Sequence, residues 1–143
     1  MIQKITTKSA EQTAKIAKTF AKKLKGGEVI ALYGGLGAGK TVFTKGLAAG
    51  LGITKNITSP TFNLMNVYTV KHRTIDKLVH VDCYRLKNEK ALREIGVKDY
   101  LGKPDTITVI EWADKTKKIL SAYQTKKIVI EPQSKNRRKI SID

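Results

Sequence analysis

Several features that would indicate a disulfide-bonded, membrane-spanning or secreted protein are rare or missing in this sequence. The chain holds one cysteine, Cys83, so an internal disulfide is excluded. No apolar run approaches the ~20 residues that a membrane-spanning helix requires. The N-terminal segment "MIQKITTKSAEQ" also lacks the continuous apolar stretch of a signal peptide. We therefore expect a cytoplasmic protein with no membrane partner.

Acidic residues are scarce as well. The chain has 12 Asp and Glu against 28 Lys and Arg, a formal net charge of +16. Such an excess favours polyanionic partners and speeds their encounter. However, no zinc-ligand spacing, recognition helix or interleaving of aromatic and basic residues marks a dedicated nucleic-acid reader. A lysine-rich solvated surface explains the charge equally well, so both interpretations stay open.

What the chain does contain is typical of a folded α/β protein. Its 143 residues are 41% apolar and 28% charged, and they show no internal repeat and no linker that could divide domains. We predict one domain spanning residues 1–143. A capped amphipathic helix is expected over 9–27, and the end of the chain is expected to form a β-hairpin. Apolar runs predict buried strands at 28–33, 77–82 and 105–112.

The first of these buried strands runs into a glycine-rich turn, "GGLGAGKT". Gly34 to Thr41 fits the pattern G-x-x-x-x-G-K-[ST], and an amphipathic helix follows it. Glycines let the N–H groups of Gly37 through Thr41 approach a phosphate, Lys40 can reach its β- and γ-oxygens, and the Thr41 hydroxyl can ligate Mg²⁺. The sequence therefore predicts a nucleotide site whose loop residues are Gly35, Leu36, Gly37, Ala38, Gly39, Lys40, Thr41 and Val42.

Two later apolar runs each end in a carboxylate, "LVHVD" at Asp82 and "ITVIE" at Glu111. A phosphate-loop enzyme needs an acidic residue on a neighbouring strand to hold Mg²⁺ or its waters. We assign one carboxylate to the metal and the other to orienting the attacking water. Sequence spacing leaves the division open, with Glu111 preferred for the metal and Asp82 for the water.

Three further features have both a structural and a functional interpretation. His80 shares a strand face with Asp82, but a single histidine on an apolar strand is more often a packed one. Trp112 follows Glu111 and can either pack or cap the site. The turn "TSPTF" stands where switch loops sense a γ-phosphate, yet it also fits a proline turn that enters a strand.

Taken together, four segments of the chain resemble the TsaE family, the small P-loop ATPases of bacterial tRNA threonylcarbamoyladenosine synthesis. They are "LYGGLGAGKTVFTKGLA", "TSPTFNLMNVY", "HVDCYRL" and "VIEWAD", in this order and at these separations. The resemblance covers nearly the whole chain. It implies a P-loop NTPase-like three-layer fold, with a mixed central sheet, helices on both faces and a C-terminal β-hairpin.

The resemblance also implies an activity and partners. The expected function is a Mg²⁺-dependent ATPase, weak alone, that supports threonylcarbamoyl transfer to adenosine 37 of tRNA by the TsaD–TsaB heterodimer. Hydrolysis would reset that complex between turnovers, and contact with tRNA would be indirect or weak. We expect the chain to be a monomer when it is alone.

Residue roles carry over by position. Lys40 matches the family's phosphate-binding lysine, Thr41 a Mg²⁺ ligand, and Glu111 the acidic residue of the metal site. Asp82 matches the second essential carboxylate, which we also count among the metal-site residues. The resemblance ties three more residues to the nucleotide site, namely Thr61, Trp112 and Arg138. Gly35 is a departure, because the family usually carries Asp there.

Two other functions compete with this interpretation. A small-molecule or nucleotide kinase shares the phosphate loop, but phosphoryl transfer needs a second substrate pocket and usually an arginine-bearing lid. The chain has five arginines and no insertion of that size. A tRNA-binding module with secondary ATP binding would explain the positive charge, and a steep salt dependence of binding would reveal it.

Overall fold

The computed structural model describes residues 2–60 and 64–143. Two short 3-10 helices lie at Val97–Asp99 and Ala113–Thr116. The strands and helices follow in chain order: β1 (Gln3–Thr7), α1 (Ala10–Ala21), β2 (Val29–Tyr33), α2 (Lys40–Gly50), β3 (Met65–His72), β4 (Ile75–Asp82), α3 (Glu89–Glu94), β5 (Thr106–Glu111), α4 (Lys117–Leu120), β6 (Thr125–Pro132) and β7 (Arg138–Ile142).

The strands form a mixed seven-stranded sheet in the order β1-β7-β6-β2-β5-β4-β3. Its central strands β6, β2, β5 and β4 run parallel, whereas β1, β7 and β3 pair antiparallel with their neighbours. The mixed sheet and the C-terminal β6–β7 pair confirm the predicted α/β class and terminal hairpin. The strand that precedes the glycine-rich turn, β2, lies at the centre of the sheet.

Alternation along β2 explains why helical segments cover both faces of the sheet. Ile30 and Leu32 belong to one buried cluster, which includes side chains of α1 and α2. Val29 and Ala31 belong to a second cluster, which includes side chains of α3 and α4. The first four residues of the strand, 29–32, are apolar and fully buried, so β2 is covered on both faces there.

Close packing of α1 against α2 fixes the direction in which α2 leaves the glycine-rich turn. A Cβ on Gly46 would stand 2.3 Å from the carbonyl oxygen of Ala14, so only glycine fits there. The start of α1 is capped by Ser9, whose Oγ accepts from the Gln12 N–H at 3.1 Å. The Gln12 side chain accepts from the Lys8 N–H, one residue earlier than in a regular capping box.

Two segments in the second half of the chain form only short helices. The segment 88–101 forms α3 for only one and a half turns, because Gly96 adopts a left-handed conformation with φ of 86° and a 3-10 turn follows. The segment 114–122 begins as a 3-10 helix and contributes only the short α4. None of the helices in residues 2–60 and 64–143 has the length and apolar character needed to cross a membrane.

Candidate functional site

The candidate site lies at the edge where the central strands end. Parallel strands present their carboxyl ends at one edge, and here Asp82 on β4 pairs in register with Glu111 on β5. The glycine-rich turn leaves β2 beside them and opens a cavity of about 370 Å³. Most of the predicted site residues line this cavity: Leu36, Gly37, Ala38, Gly39, Lys40, Thr41, Val42, Asp82, Glu111 and Trp112.

The turn has the open backbone that an anion requires. Gly37 and Gly39 have φ values of 74° and 110°, and a Cβ at either position would meet no atom within 4 Å. The Ala38 N–H is bonded to the Gly35 carbonyl at 3.1 Å, so it is not one of the free donors that we predicted. Within residues 2–60 and 64–143, the N–H groups of Gly37, Gly39, Lys40 and Thr41 bond to no backbone acceptor, and they fit a phosphate.

Lys40 is folded across the turn. Its Nζ donates to the carbonyl oxygens of Gly34 at 2.7 Å and Gly35 at 2.8 Å, and it lies 3.9 Å from the centroid of the Trp112 ring. Burial lowers the pKa of the Lys40 ammonium, while the charge of Glu111 opposes this shift. Carbonyl oxygens and an aromatic face thus satisfy a buried cation that phosphate oxygens could satisfy instead.

Three oxygen-bearing side chains meet at the start of α2. The Thr41 hydroxyl donates to Oε1 of Glu111 at 3.2 Å and lies 3.3 Å from the hydroxyl of Ser59. Hydroxyl and carboxylate oxygens are the ligands that Mg²⁺ accepts alongside water and phosphate. The chemistry of this donor set therefore fits the metal that the sequence predicts, with Thr41 and Glu111 as its nearest protein groups.

Asp82 sits more openly at the end of β4. Its Oδ1 accepts from the Tyr84 N–H at 2.9 Å. Partial burial raises the pKa of the Asp82 carboxyl, the Tyr84 N–H opposes the rise, and the charge of Glu111 adds to it. An ionised Asp82 therefore costs some folding free energy at neutral pH, as expected for a group held ready for chemistry.

Asp82→Asn should make the fold more stable at neutral pH. The folded state holds the Asp82 proton more tightly than the unfolded state, so the cost of ionisation is present above the raised pKa and vanishes as the pH falls towards the unfolded value of about 3.9. We expect a melting temperature higher by about 1–3 °C at pH 7.5, since partial exposure screens the effect, and no difference near pH 3.5. Asp76→Asn, an exposed position on the same strand, is the control, and an equal shift there would contradict the assignment.

Trp112 closes one side of the cavity. It has a left-handed backbone with φ of 59°, which ends β5 and turns its ring towards Lys40. The ring packs against that of Tyr84 at an interplanar angle of 44°, with centroids 4.8 Å apart. Lys115 holds the Tyr84 segment by donating to the carbonyl oxygens of Tyr84 and Leu86. The structure thus brings Trp112 to the site, as the functional interpretation of that residue requires.

Arg138 lies behind the phosphate loop rather than in the main cavity. Its Nε donates to the Ala38 carbonyl at 2.8 Å and its Nη2 to the Gly37 carbonyl at 3.3 Å. It also borders a smaller adjoining cavity of about 180 Å³, together with Gly37, Gly39 and Val42. The side chain therefore connects β7 to the loop backbone.

Gly35 is exposed, and its backbone is outside the left-handed region. A Cβ there would meet nothing within 4 Å, so an aspartate fits without distorting the turn. We expect Gly35→Asp to weaken ATP binding about 3–10-fold by charge repulsion, and to do so less at high salt. Titration calorimetry beside the neutral Gly35→Asn variant measures the charge effect, and equal affinity of the two variants would contradict it.

Sequence reasoning did not single out Ser59 or Tyr84, both of which line the cavity. Each lies inside a motif of the sequence, Ser59 in "TSPTF" and Tyr84 in "HVDCYRL", so the motif rather than the single residue is the available signal. Thr61 lies outside the described residues, and its assignment stays a prediction.

The model of the family described as "Threonylcarbamoyl adenosine biosynthesis protein TsaE" matches residues 7–140. The chain belongs to the TsaE family. It is 41% identical over 107 residues to a Bacillus subtilis protein and 40% identical over 117 residues to one from Treponema pallidum, both named "tRNA threonylcarbamoyladenosine biosynthesis protein TsaE". These matches cover 75% and 82% of this chain. They span 64% of the Bacillus protein, which is less than two thirds of its length, and 83% of the Treponema protein.

A solved structure has a fold similar to that of this TsaE-family chain. A crystal structure of YdiB from Bacillus subtilis superposes with a TM-score of 0.77 at 32% identity, over 99% of this chain and 84% of that one. Family membership and the shared fold thus confirm the resemblance that the four sequence segments predicted.

Proposed function

We propose that this TsaE-family chain is a Mg²⁺-dependent ATPase with a P-loop NTPase-like fold over residues 1–143. The observation that carries the proposal is the convergence of Lys40, Thr41, Asp82 and Glu111 on one cavity, although they come from three separate stretches of the chain. Open N–H groups, a buried cation and two carboxylates are the groups that phosphoryl chemistry requires.

Different residues of the chain would bind the phosphates, hold the metal and orient the water. The loop N–H groups and Lys40 would hold the β- and γ-phosphate oxygens, and Thr41 with Glu111 would hold the metal, directly or through water. Bound Mg²⁺ supplies neutralisation of charge on the phosphate oxygens. Asp82 orients the attacking water from the end of β4, where its carboxylate faces the cavity. The Trp112 ring contacts the Lys40 ammonium at 3.9 Å from the ring centroid.

The biological part of the proposal comes from the family. Hydrolysis supports threonylcarbamoyl transfer to adenosine 37 of tRNA by the TsaD–TsaB heterodimer in the cytoplasm, and it resets that complex between turnovers. A site that relies on a partner is expected to be slow alone. Leu36 and Tyr84 are large, exposed apolar side chains that line the cavity, so such a partner could contact them there.

Steady-state phosphate release from Mg-ATP tests the proposal, first with the protein alone and then with purified TsaD–TsaB. We expect a slow basal rate that rises several-fold when the pair is added. No response at concentrations where a complex forms would leave the nucleotide chemistry intact but refute the assigned partner.

Phosphate release without an acceptor and a salt series of tRNA binding separate the competing functions. A kinase releases little phosphate unless an acceptor substrate is present, whereas an ATPase needs none. A tRNA-binding module would bind tRNA tightly without TsaD–TsaB, with an affinity that falls steeply as salt rises. We expect only weak, salt-sensitive tRNA binding by the chain alone.

A further inference from the structure

A buried histidine contacts the carboxylate that we assign to the metal. His80 is fully buried on β4, on the same strand face as Leu78 and Asp82. Its Nε2 contacts Oε2 of Glu111, which is itself 2% exposed. The other carboxylate oxygen, Oε1, accepts from Thr41. Each oxygen of Glu111 is therefore occupied by a side chain from a different element.

The hydrogen-bonding pattern around His80 is one-sided. Its Nδ1 is buried and has no partner among the described residues. A buried carboxylate needs a donor, and buried N–H groups without a partner are rarer in proteins than buried acceptors without one. The tautomer that satisfies both conditions carries its proton on Nε2 and donates it to Glu111. The contact with Glu111 is then the one hydrogen bond of the ring within the part of the chain that the structure describes.

We propose that His80 is a positioning residue that holds the Glu111 carboxylate in the orientation in which Oε1 faces Thr41, where Mg²⁺ would be held. The inference rests on the proposed function, because it assigns His80 a role through Glu111. Without the Nε2 donor, Oε2 is a buried and unpaired oxygen, so the carboxylate rotates or recruits water. Outer groups that orient a metal-binding carboxylate typically change metal affinity or activity by about 10–100-fold.

The experiment compares His80→Leu, which removes the donor at similar volume, with His80→Gln, whose amide can reach the position of Nε2. Calorimetry of ADP binding with and without Mg²⁺ gives a readout that is independent of turnover. We expect His80→Leu to raise the Mg²⁺ concentration for half-maximal enhancement of ADP binding by ~10-fold or more, with metal-free ADP affinity unchanged. His80→Gln should recover most of the effect.

A loss of packing alone must be distinguished from this role. Leu78→Ala removes buried volume on the same strand face without touching Glu111, so it should lower the melting temperature and leave the Mg²⁺ dependence unchanged. If His80→Leu fails to fold, His80→Asn replaces it, because the shorter amide reaches the position of Nδ1 and not that of Nε2.

Three outcomes overturn the proposal. A normal Mg²⁺ dependence in the variant without a donor, or a defect that His80→Gln does not repair, shows that His80 is only a packed residue. If the wild-type protein shows no Mg²⁺-linked nucleotide binding, the proposed function fails and the inference falls with it. The wild-type titration therefore tells the two failures apart.

Discussion

Lys40→Ala should reduce ATP hydrolysis by about 100-fold or more and weaken Mg-ATP binding. Lys40 is the only basic side chain that borders the main cavity within residues 2–60 and 64–143. Its ammonium is held by two carbonyl oxygens and one aromatic ring, partners that phosphate oxygens could replace. Phosphate release and calorimetry with Mg-ATP measure the two effects.

The matched control for this variant is Lys45→Ala. Lys45 lies on the same helix, α2, but is exposed, so its loss changes the net charge equally without touching the cavity. We expect near-normal hydrolysis from it. If Lys40→Ala retained a rate within tenfold of the wild type, the phosphate would have to bind elsewhere and the site assignment would be wrong.

The convergence of site residues could be predicted because it depends on local signals. Apolar runs that end at Tyr33, Asp82 and Glu111 mark strands, and parallel strands end at one edge of a sheet. The G-x-x-x-x-G-K-[ST] pattern predicts the remaining residues of this part of the site, which lie in the phosphate loop. Predicting this part of the site requires no knowledge of strand order.

Other parts of the site depend on strand order, which the sequence does not display. Alternation placed His80 on the face of Asp82, but its contact with Glu111 exists only because β4 lies next to β5. Arg138 reaches Ala38, one hundred residues away, because β7 pairs with β6 and β6 with β2. Neither the contact of His80 with Glu111 nor that of Arg138 with Ala38 could be inferred from spacing along the chain.

Left-handed backbone positions are a second feature that the sequence pattern does not display. Gly96 has a left-handed backbone, and α3 ends before it, while Trp112 at the end of β5 is left-handed as well. Such positions serve packing and site geometry rather than helix propensity. A tryptophan with positive φ has no signature in a sequence pattern, and here it carries a ring that covers Lys40.

Glu111→Gln should separate metal binding from water positioning, the two roles that the sequence left open. Glutamine keeps an oxygen for Thr41 but removes the charge that attracts Mg²⁺. We expect hydrolysis to fall by about 100-fold or more and the Mg²⁺ concentration for half-maximal rate to rise. Metal-free nucleotide affinity should stay within a few-fold of the wild type, because the loop and Lys40 are untouched. Phosphate release across a Mg²⁺ series measures the first two effects.

Asp82→Asn is the informative comparison, because a water-positioning residue alters turnover without altering the Mg²⁺ requirement. The control is Glu131→Gln, an exposed carboxylate on β6 that should leave both quantities unchanged. If Asp82→Asn raised the Mg²⁺ requirement and Glu111→Gln did not, the two assignments would be exchanged. Thr41 contacts Glu111 directly, whereas Asp82 bonds to the backbone of Tyr84, so the geometry favours Glu111 for the metal.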